Sequence, residues 1–167
     1  MPDSAGFDDV LAANQKYASD FALAGLSGVA ARGLAVLTCM DSRIEPLTML
    51  GLAPGDAKLL RNAGARVTDE VLETLVLARY LLGVERVMVI AHTQCRMASG
   101  GGAEALHEAI RAAGGPNTRG IAFQTTDDQE ATLRHDVERV RSSPYLPGVV
   151  VGGFIYDVDT GLLRQVD

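Results

Sequence analysis

The sequence predicts an α/β fold: a mainly parallel central sheet flanked by helices, with an antiparallel strand at its C-terminal edge. Three observations carry this. The strands read at 33–38, 84–91 and 149–157 are built on the apolar stretches 34–37, 87–91 and 149–156, as parallel strands covered on both faces are. Segments of helical periodicity lie between them, and that alternation builds layered parallel sheets. After the last run, Asp159-Thr160-Gly161 is turn chemistry, so 162–166 returns as an antiparallel edge strand. At 167 residues the chain is most economically one domain, 1–167.

Taken in order, 7–24 is helical, with Phe7, Val10, Leu11, Tyr17, Phe21 and Leu23 loosely at helical intervals. It has no place in a sheet, so residues 1–30 read as an N-terminal arm that packs on a partner subunit. The small residues of 25–33 connect it to the first strand, 33–38. A short helix over 44–50 closes at Gly51, and Pro54-Gly55-Asp56 turns into a second strand at 57–60. Arg61-Asn62-Ala63-Gly64 then reads as a loop leaving the sheet.

Thr68 is placed to cap the next helix, with Asp69 and Glu70 in its first turn, where the helix dipole favours acids. Val71, Leu75, Ala78 and Leu82 make its buried stripe, and Gly83 ends it. The third strand, 84–91, is the strongest in the chain. A helical start at 95–98 is broken by Ser99-Gly100-Gly101-Gly102, and 103–113 is a further helix. The stretch up to Thr125 has no assignable pattern. Thr126-Asp127-Asp128-Gln129 fits a capping box for a helix to about Ser142, with Leu133, Val137 and Val140 inward. Gly152-Gly153 inside the fourth strand, 149–157, signals a bulge or a close backbone approach.

The net charge of −6 and the lack of any Lys/Arg cluster argue against nucleic acid as a partner. No run approaches the ~20 apolar residues of a membrane span, so no membrane is expected. The acidic start lacks the layout of a signal peptide, which places the protein in the cytoplasm. Two cysteines make no disulfide framework, and a reducing compartment leaves both free for metal.

Chemistry concentrates at two strand ends. Cys39-Met40-Asp41-Ser42-Arg43 follows the first apolar run, and His92-Thr93-Gln94-Cys95 follows the third. Zinc takes thiolate and imidazole in a tetrahedron, and a catalytic site keeps one position for water or substrate. Cys39, His92 and Cys95 supply three such ligands. Asp41 and Arg43, two apart, project to one side if the chain is extended. Arg43 then grips the carboxylate, holds it off the metal and orients it toward the open position. Ordinary readings compete: a lone strand-end Cys is usually a small hydrophobe, and an exposed Asp–Arg pair is worth ~0–1 kcal/mol. The conjunction of both motifs at strand ends outweighs them. His107 and His135 read as solvated helix residues without a role.

The motifs Cys39-x-Asp41-x-Arg43, Arg61-Asn62-Ala63-Gly64 and His92-Thr93-x-Cys95 resemble those of the β-class carbonic anhydrases, in the same order and at similar separations. The likeness is specific over about 34–98 and continues more loosely through Gly153-Phe154-Ile155-Tyr156-Asp157-Val158 and Thr160-Gly161. It implies a β-carbonic anhydrase-like fold and reversible hydration of carbon dioxide to bicarbonate and a proton by zinc-bound hydroxide. Zinc on Cys39, His92 and Cys95, and a catalytic dyad of Asp41 and Arg43, come with it. So does a homodimer or homotetramer, the site lying at the subunit interface and the N-terminal arm embracing the partner. Two residues depart from the usual His-Thr-Asp-Cys-Gly run: Gln94 removes a charge, and Arg96 replaces the small glycine. Two rival readings share the scaffold. One is a hydrolase of carbonyl sulfide or carbon disulfide; the other is a catalytically silent zinc protein with Asp41 as a permanent fourth ligand.

Overall fold

In the computed structural model, which describes residues 6–166, the strand Leu34–Cys39 (β1) is buried along its whole length. Its alternate residues face two different cores. Ala35 and Leu37 join the larger, while Leu34 and Val36 join a smaller cluster on the opposite side. Burial on both faces explains why the run is apolar without alternation.

β1 pairs in parallel with Ala57–Asn62 (β2) on one side and Arg86–His92 (β3) on the other. Val150–Tyr156 (β4) continues the sheet in parallel, and Leu163–Val166 (β5) closes it antiparallel. The order is β2-β1-β3-β4-β5. From β1 the chain moves first to one side, then crosses to the other, so the order reverses between β1 and β3. Such a reversal opens a crevice at the carboxyl ends of the two strands. The fold class expected from the sequence is the one observed.

The larger core takes Val71, Leu75 and Ala78 from Asp69–Leu81 (α3, counting helices along the chain) and Leu133, Val137 and Val140 from Gln129–Arg141 (α5). Leu82 caps α3 and is only half-buried, so the stripe ends one turn sooner than its periodicity implies. Two further helices, Asp8–Ser19 (α1) and Pro46–Met49 (α2), precede it, and Gly102–Ala112 (α4) lies between α3 and α5. Met49 and Leu50 pack on the smaller core.

Four expectations need correction. First, α1 stops at Ser19 rather than near residue 24; none of its residues is buried, so no packing against the described chain extends it. Second, Arg61 and Asn62 are strand, not loop: the parallel register carries on through Thr38↔Arg61 and Cys39↔Asn62. Third, the cap of α5 is Asp128, whose side chain accepts from the Ala131 N–H, while Thr126 Oγ1 accepts from the Asp128 N–H. Gln129 is thereby free to donate to the His92 carbonyl at 3.0 Å. Fourth, His107 is buried, bonded to Thr118 Oγ1 at 2.9 Å and tilted against the Phe123 ring. That contact anchors the unpatterned 118–125 stretch on α4. His135 is exposed, as expected.

Candidate metal centre

Parallel pairing ends β1 at Cys39 and β3 at His92, side by side at the point where strand order reverses. After His92 the chain makes a tight turn with Gln94 at φ +58, in the left-handed region that a non-glycine residue seldom adopts. The turn returns Cys95 toward Cys39, and a single 3-10 turn (Arg96–Ala98) follows instead of a longer helix. The loop is pinned to the end of the sheet: Thr93 N–H donates to the Tyr156 carbonyl at 2.9 Å, and Val158 N–H donates to Thr93 Oγ1 at 3.1 Å.

The metal-binding atoms of Cys39, His92 and Cys95 lie within 4.8 Å of one another, and all three residues are buried. A tetrahedral zinc with bonds of ~2.0–2.3 Å spaces its ligand atoms roughly 3.5 Å apart. The His92 ring is already oriented for such a role. Its Nδ1 lies 2.8 Å from the Thr93 carbonyl, an acceptor, so Nδ1 carries the proton and Nε2 keeps its lone pair. Nε2 is buried with no hydrogen-bond partner. A buried orphan acceptor is costly, and a metal ion is the partner that this donor set fits.

The two thiols behave as a pair. The Cys39 pKa is lowered to about 3, chiefly by the Cys95 thiol donating to it; burial opposes, while His92 and the N–H groups of Gly64 and Asp41 assist. Cys95, as donor to that thiolate and by its burial, is pushed up. Burial works against a charge on His92, but the Cys39 thiolate, the Thr93 carbonyl and the Asp41 carboxylate together outweigh it and the net shift is upward. Gly64 contributes its N–H at 3.4 Å from Cys39 Sγ with φ +86, and a Cβ there would press on the Met97 side chain at 3.1 Å.

Asp41 and Arg43 meet, but not by extended-strand alternation. The chain turns at Ser42-Arg43: Asp41 Oδ1 accepts from the Arg43 N–H at 2.9 Å, which folds Arg43 back over the carboxylate. Nε then donates to Oδ1 at 3.0 Å and Nη2 to Oδ2 at 2.8 Å, a bidentate pair. These bonds hold the Asp41 carboxyl well below the usual carboxylate range. Oδ2 lies 3.9 Å from His92 Nε2, beyond hydrogen-bond reach. Arg61 fixes the loop from below, donating from Nε to the Cys39 carbonyl at 3.0 Å and from Nη2 to the Asp41 carbonyl at 2.7 Å. A cleft of about 600 Å³ opens over these groups, with Met40, Ala63, Arg96 and Met97 on its walls.

Among known proteins, a sequence model described as carbonic anhydrase matches residues 34–163. The chain is 32% identical to β-carbonic anhydrase 1 of Mycobacterium tuberculosis over 95% of its own length and 96% of that protein's. The chain belongs to the β-class carbonic anhydrase family. A crystal structure of carbonic anhydrase from Streptococcus mutans superposes with a TM-score of 0.85 at 37% identity, covering 96% of this chain and 97% of that one. A carbon disulfide hydrolase of an Acidianus species is 30% identical over 90% of this chain and 85% of its own. The protein is therefore an enzyme of the carbonic anhydrase family with a Cys-His-Cys cluster suited to metal.

Three side chains take roles that sequence reasoning did not assign. Gln94 links Arg43 to Asp159, and Gln129 holds the His92 carbonyl. Asp136, on α5, is 2% exposed and pairs with Arg66 at 2.7 Å. Its signal was present: a carboxylate on the inward stripe with Leu133, Val137 and Val140.

Proposed function

We propose that the protein catalyses the reversible hydration of carbon dioxide to bicarbonate and a proton, using zinc held by Cys39, His92 and Cys95. The observation that most supports this is the unpartnered His92 Nε2, buried beside two thiols. What zinc would supply there is Lewis acidity that makes water nucleophilic near neutral pH. Two thiolates and a neutral imidazole offset the charge of the ion, so the chain's own groups have to assist.

Asp41 and Arg43 are the groups placed to do so, as catalytic residues. With Arg43 occupying both of its oxygens, the Asp41 carboxylate is held off the cluster yet faces it. It remains ionised near neutral pH, and the remaining lone pair of Oδ2 accepts a hydrogen bond from the attacking water. That bond turns a water lone pair toward the carbon. The side chains of Ala63 and Met97 give the cleft apolar walls, which suit an uncharged linear substrate. The pairing of Asp41 with Arg43 also favours an open site over one in which Asp41 is a permanent ligand.

A second reading follows from the carbon disulfide hydrolase relative, which is nearly as similar as the β-carbonic anhydrase. Carbon disulfide and carbonyl sulfide present the same electrophilic carbon to the same site. Zinc content and stopped-flow hydration of carbon dioxide, run between about pH 7 and 9 beside assays on both sulfur substrates, separate these readings. About one zinc per chain with carbon dioxide turnover rising with pH is expected. Stoichiometric zinc with turnover only on sulfur substrates would select the hydrolase. Zinc without any turnover would select a closed site.

The working unit is proposed to be a homodimer or larger homo-oligomer, with the cleft near the interface. The support lies in α1 and its flanks, where Phe7, Val10, Leu11, Tyr17 and Phe21 are all exposed. Contiguous apolar surface of that kind marks an interaction site. No helix among the described residues is long and apolar enough to cross a membrane. A cytoplasmic setting is proposed because a reducing pool keeps both thiols available for metal.

A further inference from the structure

Arg43 has more donors than Asp41 uses. Nε and Nη2 are taken by the carboxylate, and Nη1 donates to Gln94 Oε1 at 2.9 Å. The other end of the same amide, Nε2, donates to Asp159 Oδ2 at 2.7 Å. The two partners fix the orientation of the amide, since a guanidinium only donates and a carboxylate only accepts. Asp159 is held in turn: its N–H and that of Thr160 donate to Asp157 Oδ1 at 2.8 and 3.0 Å, in the turn between β4 and β5.

We propose that Gln94 is a positioning residue, an amide strut that keeps Arg43 on Asp41 by tying the guanidinium to Asp159 in the β4–β5 turn. The inference rests on the role given above to the Asp41–Arg43 pair. A carboxamide meets both demands at once. A carboxylate in its place would face Asp159 with like charge and would compete with Asp41 for Arg43. The strut is made by this chain's pairing of Gln94 with Asp159. Gln94 holds its position at φ +58, and the neighbouring Thr93 is bonded at both N–H and Oγ1, so the loop is anchored apart from the amide.

The test uses Gln94→Gly, Gln94→Glu, Asp159→Ala and Asp159→Asn in the full chain. Glycine adopts the positive φ freely, so Gln94→Gly removes the amide while retaining the turn. In metal-free protein, nitrogen-15 NMR reads water exchange of the Arg43 Nε proton, which Asp41 protects. Exchange should quicken about twofold to fivefold in Gln94→Gly and Asp159→Ala, the range of an exposed charged contact. It should quicken further in Gln94→Glu and stay near wild type in Asp159→Asn, which keeps an acceptor. In zinc-loaded protein, kcat/KM for carbon dioxide should fall in the same rank order. Unchanged exchange in Gln94→Gly would overturn the proposal, as would damage from Asp159→Asn equal to that from Asp159→Ala. A wild-type protein without carbon dioxide turnover would remove the anhydrase reading, while the exchange data would still decide the strut.

Discussion

The Asp41 carboxylate accepts from Arg43 at both oxygens and lies 3.9 Å from a histidine nitrogen that has no partner. Its position is therefore set by Arg43 and by nothing stronger. Arg43→Ala should let Asp41 swing onto the metal and abolish turnover while about one zinc per chain stays bound. Metal analysis beside stopped-flow kinetics checks this; loss of zinc would instead make the pair a support of the site. Asp136 is a buried ion whose partners come from the segment after β2: Arg66 Nε at 2.7 Å and the Val67 N–H at 3.2 Å. Asp136→Ala leaves the Arg66 guanidinium, on a side chain only 17% exposed, without its counter-ion. The expected loss is about 3 kcal/mol, a fall in Tm on the order of 6–12 °C by calorimetry. Which residues were chemical was plain from type and placement. How Asp41 meets Arg43 was not, because an Asx turn, not strand alternation, makes the pair.

Gly153 lets α5 approach the sheet. A Cβ there would stand 2.9 Å from Val137 Cγ2, 3.1 Å from Leu133 Cγ and 3.2 Å from the Val166 carbonyl. Gly153→Ala should cost about 2 kcal/mol by overpacking, seen as a lower urea midpoint with an unchanged slope. Gly152 meets only the Phe154 ring, so the close-approach expectation applies to Gly153. Helix α1 is the opposite case, an amphipathic element with no buried residue in its own chain. Val10→Asp with Leu11→Asp should leave the subunit folded and shift sedimentation velocity toward monomer; an unchanged oligomer would assign the interface elsewhere. The limits of α1 and α5 were the least legible features, since caps and helix ends answer to neighbours that a local pattern does not contain.

For the molecule as a whole, the crossing of the chain between β1 and β3 is what turns two distant motifs into one cluster. Binding of a metal at that cluster would link to stability, because the folded chain gathers Cys39, His92 and Cys95 and the unfolded chain does not. Removal of zinc by a chelator should lower Tm by about 5–10 °C, the effect of a ligand at roughly a hundredfold its Kd, and added zinc should restore it. A Tm indifferent to complete metal removal would separate the cluster from metal binding. The sequence by itself determined the fold class, the antiparallel edge and Cys39, His92 and Cys95 as members of one cluster suited to metal, because burial pattern and ligand chemistry are properties of residue type and spacing. Only the tertiary structure decided that Arg61 and Asn62 extend β2, that His107 is buried, that Gln129 serves the β3 end and that Gln94 spans Arg43 and Asp159. Each of those depends on groups brought together from separate strands, helices and turns, and hydrogen bonds across such distances leave no period in the chain.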